Sequence, residues 1–225
     1  MRLRHCTALV AFASLAGCSA TTLLSASFRD DSIGTPPKPQ QTVGTVNYDN
    51  GDGSVLVVSS PSGNGEKFVQ IKHNDLNGNQ TGMQGVFAQR EGNGTFALLA
   101  VMYIPSGAGA ATLAFEPFSS GPHDYVNFLH LDFMPDNTVR IDDGAVTFGK
   151  FPRDQFFTIS AALTIGAAGT TAHFQLFGTG ASGDTTYTLP SGNANIAHDF
   201  NAVRFWMGAN YTGFFDVDDI VLTWH

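Results

Sequence analysis

Cysteine is nearly missing from this chain: only Cys6 and Cys18 occur in 225 residues. From residue 19 onward there is no thiol for a disulfide, a redox couple or a thiolate metal site, so the fold must rest on its apolar core. Charge is also scarce, 13% of residues, and it is unbalanced, with 11 basic side chains against 19 acidic and a formal net charge of −8. Such a surface repels a phosphate backbone, and no nucleic-acid partner is expected. Glutamate appears only as Glu66, Glu91 and Glu116, no two of them close in sequence. Helical periodicity is absent as well. Beyond the first eighteen residues no stretch of ten repeats its apolar positions at three and four, and 25 glycines interrupt any long run.

What the N-terminus does hold is a basic start (Arg2, Arg4), an apolar stretch from Cys6 to Leu15, and Leu15-Ala16-Gly17-Cys18. The layout is that of a secretory signal. Its apolar stretch falls far short of the roughly 20 residues that span a bilayer. Leu-Ala-Gly-Cys resembles the lipobox of bacterial lipoproteins, in which the cysteine is acylated and becomes the first residue of the mature chain. That resemblance implies a signal peptide over residues 1–17, lipid on Cys18 and the membrane as a partner. A single acyl chain anchors only marginally, so the several chains typical of such proteins are expected, palmitate among them. Ser19, rather than aspartate, implies by the same resemblance the outer membrane of a Gram-negative envelope. Removing Arg2 and Arg4 takes the charge to 9 minus 19, or −10.

The remainder reads as short β-rich segments separated by Gly, Asn, Asp and Pro, the pattern of an all-β sandwich or barrel. Strands are predicted near Leu24–Arg29, Ser54–Ser59, Lys67–Lys72, Gly85–Gln89, Thr95–Ile104, Ala111–Phe115 and Asn127–Phe133. Further strands are predicted near Thr138–Ile141, Ala145–Phe148, Phe156–Ile165, Thr171–Phe177, Thr185–Leu189, Val203–Met207 and Phe214–Trp224. That number in one domain suits a jelly-roll sandwich better than a small immunoglobulin-like one. Asp143-Gly144 between β-prone runs predicts a hairpin turn. Pro36, Pro37 and Pro39 are expected to turn the chain out of the first strand, which pairs with the last. The expected organisation is signal 1–17, lipidated tether 18–23 and one sandwich over 24–225.

The run from Val203 to Leu222, through Gly208-Ala209-Asn210, Gly213-Phe214-Phe215 and Asp218-Asp219-Ile220, resembles the last two strands of concanavalin A-like, laminin G-like sandwich domains. Phe28-Arg29-Asp30-Asp31-Ser32-Ile33-Gly34-Thr35-Pro36 is similar to their opening strand and turn. The resemblance implies two antiparallel sheets, one curved, with a concave face that in this family often binds glycans or other polymers.

Alternation on three strands marks candidate ligand contacts. Leu129, Leu131 and Phe133 fall on one face, leaving His130 and Asp132 on the other. The same split separates His173 and Gln175 from Ala172, Phe174 and Leu176, and Arg204 and Trp206 from Val203, Phe205 and Met207. If these strands share a sheet, one face presents all six polar and aromatic residues to a sugar, whose ring has apolar faces and hydroxyl edges. Asp216, Asp218 and Asp219 invite a structural calcium, but on an extended strand Asp219 points away from the other two, so convergence needs a bulge.

The paired acids of concanavalin A-like glycosidases are not matched by the scattered glutamates, and no nucleophile elbow, phosphate loop or dinucleotide fingerprint occurs. No catalytic residue is assigned. The leading expectation is a lipid-anchored, non-catalytic carbohydrate-binding or adhesion domain with a polysaccharide or glycan partner. One alternative is a polysaccharide lyase or hydrolase of the same fold, echoed by Gln70-Ile71-Lys72-His73 and by Tyr211, with His130 or His73 and Tyr211 moving protons. The other is a structural envelope lipoprotein without a small ligand.

Overall fold

Period-two alternation of apolar and polar side chains gives strands that bury one face, and the computed structural model of this chain arranges fifteen of them, among the described residues, in two antiparallel sheets. The structure describes residues 20–88, 93–116, 129–142, 144–190 and 200–225. Signal and Cys18 lie outside the described residues. Among those described there is no helix, and hence none long and apolar enough to cross a membrane.

The first sheet runs β13 (Asp184–Thr188), β12 (Gly169–Phe177), β11 (Phe156–Gly166), β6 (Gly94–Tyr103), β15 (Gly213–Trp224), β4 (Lys67–His73) and β3 (Gly53–Ser59). β1 (Thr21–Ala26) pairs with the far half of β15, Ile220 to Trp224, while β4 pairs with its near half. The two ends of the chain therefore close one sheet, as the sequence predicts. β1 begins within the segment expected as tether.

The second sheet runs β10 (Val146–Lys150), β9 (Thr138–Ile141), β8 (Leu129–Phe133), β7 (Ala111–Glu116), β14 (Ala202–Met207), β5 (Thr81–Val86) and β2 (Thr45–Asp49). β9 and β10 pair as a hairpin, with Asp142 and Gly144 both at positive φ, while Asp143 of the predicted turn lies outside the described residues. β2 has no counterpart among the predicted strands, and β5 sits four residues before its expected start.

Between the sheets lies one core, rich in phenylalanine. Phe200 packs edge-on against Phe96 at 4.7 Å, Phe87 at 5.2 Å and Phe115 at 5.3 Å. Such pairs add roughly 0.5–1.5 kcal/mol each to what area burial supplies. In β15, Phe215 and Val217 enter this core and Asp216 and Asp218 take the outer face. A bulge follows between Asp218 and Val221, with Asp219 at φ 47°, and the extra residue resets the phase so that Ile220 and Leu222 point inward again.

Candidate functional site

The outer face of the second sheet carries the most chemistry. Register places Trp206 beside Thr112, Thr112 beside Asp132 and Asp132 beside Arg140, one row across β14, β7, β8 and β9. The neighbouring row holds Gln84, Arg204, Ala114 and His130. Glu116 and Ala202 begin a third. Above the first two rows is a pocket of about 330 Å³ lined by Ala110, Thr112, His130, Asp132, Met134, Arg140, Trp206 and Tyr211.

The floor of this pocket is polar and ordered. Thr112 donates its hydroxyl to Asp132 at 2.7 Å. His130 stands between two carboxylates, Nε2 3.5 Å from Asp132 and Nδ1 3.8 Å from Asp142. Asp142 in turn accepts the phenol proton of Tyr187, which burial foremost, and then this bond, pushes up to about 12. Tyr187 belongs to β13, so the line Tyr187, Asp142, His130, Asp132, Thr112 ties the first sheet to the pocket floor. Arg204 lies 4.7 Å from the Trp206 ring centre, a cation–π contact.

His130, Asp132, Arg204 and Trp206 thus share one face, as the alternation predicts. Two corrections follow. His173 and Gln175 do not join them: β12 belongs to the first sheet, where both residues bond Asp184, at 2.8 and 2.7 Å. Alternation fixes which side of a strand a residue takes, and says nothing about which sheet the strand enters. Second, Arg204 and Trp206 are not laid open as contacts, being 4% and 6% exposed; β7 and β14 are buried on both faces. Trp206 meets the pocket as part of its lining, not as an open platform.

Sequence reading missed Thr112, Arg140 and Glu116. Thr112 and Glu116 alternate with Leu113 and Phe115, so the period was there, but the strand reads as plain core. Glu116 is buried; its Oε1 accepts the Gln84 amide while Oε2 has no hydrogen-bond partner. Desolvation raises its pKa, partly opposed by Arg204 and Gln84. Although a raised carboxyl is what a proton donor needs, its nearest acidic neighbour on this face of β8, Asp132, sits opposite Thr112, four residues along the strand. That separation is about 13 Å, beyond the 5 to 9.5 Å range, roughly, of glycosidase acid pairs.

Of the lyase-like elements, His130 and Tyr211 both line the pocket, while Gln70 and His73 separate. Gln70 faces outward on the first sheet, bonded to Asp216 at 3.1 Å, while His73 on the same strand points inward. Asp216, Asp218 and Asp219 fail to converge despite the bulge: Asp219 turns to Arg29 at 3.4 Å. Among the described residues no three His, Cys, Asp or Glu side chains are grouped to hold a metal ion.

No family model matches the chain, and no curated protein matches it in sequence. Solved structures do. An endo-1,3-β-glucanase from Streptomyces sioyaensis superposes with TM-score 0.57 at 13% identity, covering 92% of this chain and 97% of that one. Arcelin-5, a lectin-like defense protein from Phaseolus vulgaris, gives 0.53 at 10% identity over 92% and 99%. Lectin II from Ulex europaeus gives 0.52 at 14% over 91% and 100%. At such identities the likeness establishes the fold: a concanavalin A-like jelly roll spanning nearly the whole of each similar chain.

Proposed function

We propose that this chain is a lipid-anchored envelope protein whose jelly roll binds a polysaccharide or glycan in the pocket on its second sheet, without cleaving it. The observation that carries the reading is the row Trp206, Thr112, Asp132, Arg140 beneath an open pocket closed at one side by Tyr211. Aromatic edges beside a hydroxyl, a carboxylate and a guanidinium match the apolar faces and hydroxyl rim of a sugar ring. The fold is that of proteins named as lectins, which adds to the prior without deciding the ligand.

The spacing of Glu116 and Asp132 counts against that pair as hydrolytic acids, and on this ground binding is preferred to hydrolysis by that pair. The glucanase among the similar structures keeps hydrolysis as the competing reading. Anchoring rests on Leu15-Ala16-Gly17-Cys18 alone. Membrane attachment at Cys18, in the outer membrane of a Gram-negative cell, is part of the proposal.

Detergent-solubilised full chain passed over a panel of immobilised polysaccharides, with retention and released product both scored, tests the reading. Retention without product supports it. Released product replaces it with the hydrolase or lyase, and no retention on any polysaccharide replaces it with a structural lipoprotein. Running the panel with calcium and with chelator tests the aspartates of β15 in the same experiment, since a cation-held site loses retention with chelator.

A further inference from the structure

His73 is fully buried at the end of β4, where the chain leaves the first sheet. Its cross-strand partners are Gly53 on β3 and Gly213 on β15, so neither neighbouring strand sets a side chain beside the ring. The imidazole reaches two loops instead. Nδ1 lies 2.7 Å from the backbone carbonyl oxygen of Tyr211, and Nε2 lies 2.8 Å from that of Asn79.

A carbonyl oxygen only accepts. Neutral imidazole carries one N–H and one lone pair, whichever tautomer it takes, so it satisfies one of these carbonyls and turns a lone pair on the other. Imidazolium donates to both. In a buried site the missing bond is costly because water cannot make it up, while desolvation of the imidazolium opposes the doubly protonated form.

Both arms matter to the pocket. Tyr211 lines it, with Gly109 close behind: a Cβ on that glycine would stand 2.5 Å from the Tyr211 Cβ. Asn79 is followed by Gln80, whose side-chain oxygen accepts from Arg204 at 3.4 Å, and Arg204 stacks on Trp206. His73 therefore holds one loop that carries the pocket wall and another that steadies the pocket floor. Asp52 binds the Asn79 peptide, accepting its N–H and donating to its carbonyl at 3.2 Å; Asp75 caps its own turn at Asn77; Arg204 acts through Gln80. β5 presents Thr81, whose hydroxyl goes to the Asn50 carbonyl, and Lys72 faces solvent. The Tyr211 phenol is the remaining titratable group.

We infer that His73 is a proton-dependent positioning residue for this pocket: doubly protonated, it clamps the Tyr211 and Asn79 carbonyls together, and on losing a proton it releases one of them and lets the Tyr211 wall loosen. The consequence for ligand retention rests on the pocket being the binding site; the clamp itself does not.

The test is a long-range nitrogen–proton NMR spectrum of the isotope-labelled full chain in detergent micelles between pH 5 and pH 9. Both ring nitrogens of His73 are expected to carry protons at the acid end. Tyr211 ring resonances should move with the same midpoint at which one proton leaves. A single protonated nitrogen across the whole range overturns the inference, and so does a His73 titration that leaves Tyr211 unmoved. His73→Gln, whose one amide nitrogen reaches a single carbonyl, should abolish the pH dependence at Tyr211. On a polysaccharide that retains the chain, retention should fall about tenfold across the midpoint, the equivalent of one lost charged hydrogen bond. If no polysaccharide is retained at any pH, the binding reading fails while the NMR result still decides the clamp.

Discussion

Asp216 and Asp218 stand two residues apart on the same face of β15, and each keeps one carboxylate oxygen, Oδ2 of Asp216 and Oδ1 of Asp218, without a hydrogen-bond partner. Burial raises both from 3.8 to about 7. The folded chain thus binds these protons more tightly than the unfolded chain, whose aspartates ionise near pH 4, roughly. Their contribution to stability is complete below that pH and is lost as pH rises through about 7. Asp136, Asp154 and Asp184, held low by hydrogen bonds, act in the opposite sense, but their effect is lost only as pH falls below the ordinary carboxyl range. Urea unfolding should therefore show a higher midpoint at pH 5 than at pH 8, with an unfolding free energy larger by a few kcal/mol, roughly. Asp216→Asn and Asp218→Asn should each flatten the difference; an equal or lower midpoint at pH 5 would contradict this account of β15.

Gly82 leaves room for Trp206. A Cβ there would stand 2.7 Å from the Trp206 Cβ and 2.8 Å from the Phe205 carbonyl oxygen, and backbone cannot yield cheaply. Gly82→Ala should cost about 1–3 kcal/mol by overpacking and shift Trp206 fluorescence. Trp224→Phe leaves Trp206 as the sole tryptophan, so the emission reads that residue alone.

Gly109→Ala addresses the pocket from its rim. The added methyl would push on Tyr211, which packs against the core. Retention on a bound polysaccharide should drop several-fold, and the unfolding free energy should fall by about 1–3 kcal/mol, as at Gly82. Loss of stability without loss of retention would remove Tyr211 from the binding surface.

Much of this architecture was legible because alternation is a local property. His130 and Asp132, and Arg204 and Trp206, were paired on their strands from sequence alone, and the pairing of the chain ends followed from Leu24 and the final apolar run. Three things were not legible, each for a physical reason. His173 and Gln175 share the period of the pocket residues, but β12 pairs with its sequence neighbours β11 and β13, and the pairing of β11 with distant β6 puts all three in the other sheet. Burial of Trp206 and Arg204 depends on what lies over a strand, which alternation does not encode. The role of His73 hangs on two carbonyls 138 and 6 residues away, contacts with no signature in spacing.

Anchoring has its own test. Cys18→Ala should move the chain from the membrane fraction to the soluble one and remove metabolically incorporated palmitate. Membrane fractionation unchanged by the substitution would contradict the lipid anchor.

The central claim is that the pocket over Thr112, Asp132 and Trp206 binds sugar. Its most direct measurement compares full-length wild type with Asp132→Asn for retention on the same polysaccharide panel. Asp132 accepts from Thr112 and neighbours His130, and it is not part of the core, so the variant keeps the fold while it loses the negative charge and exchanges one acceptor oxygen for an amide donor. The account predicts retention by wild type without released product, weakened at least tenfold in the variant, about 1.4 kcal/mol. Equal retention by the two proteins, or none by either, would contradict it.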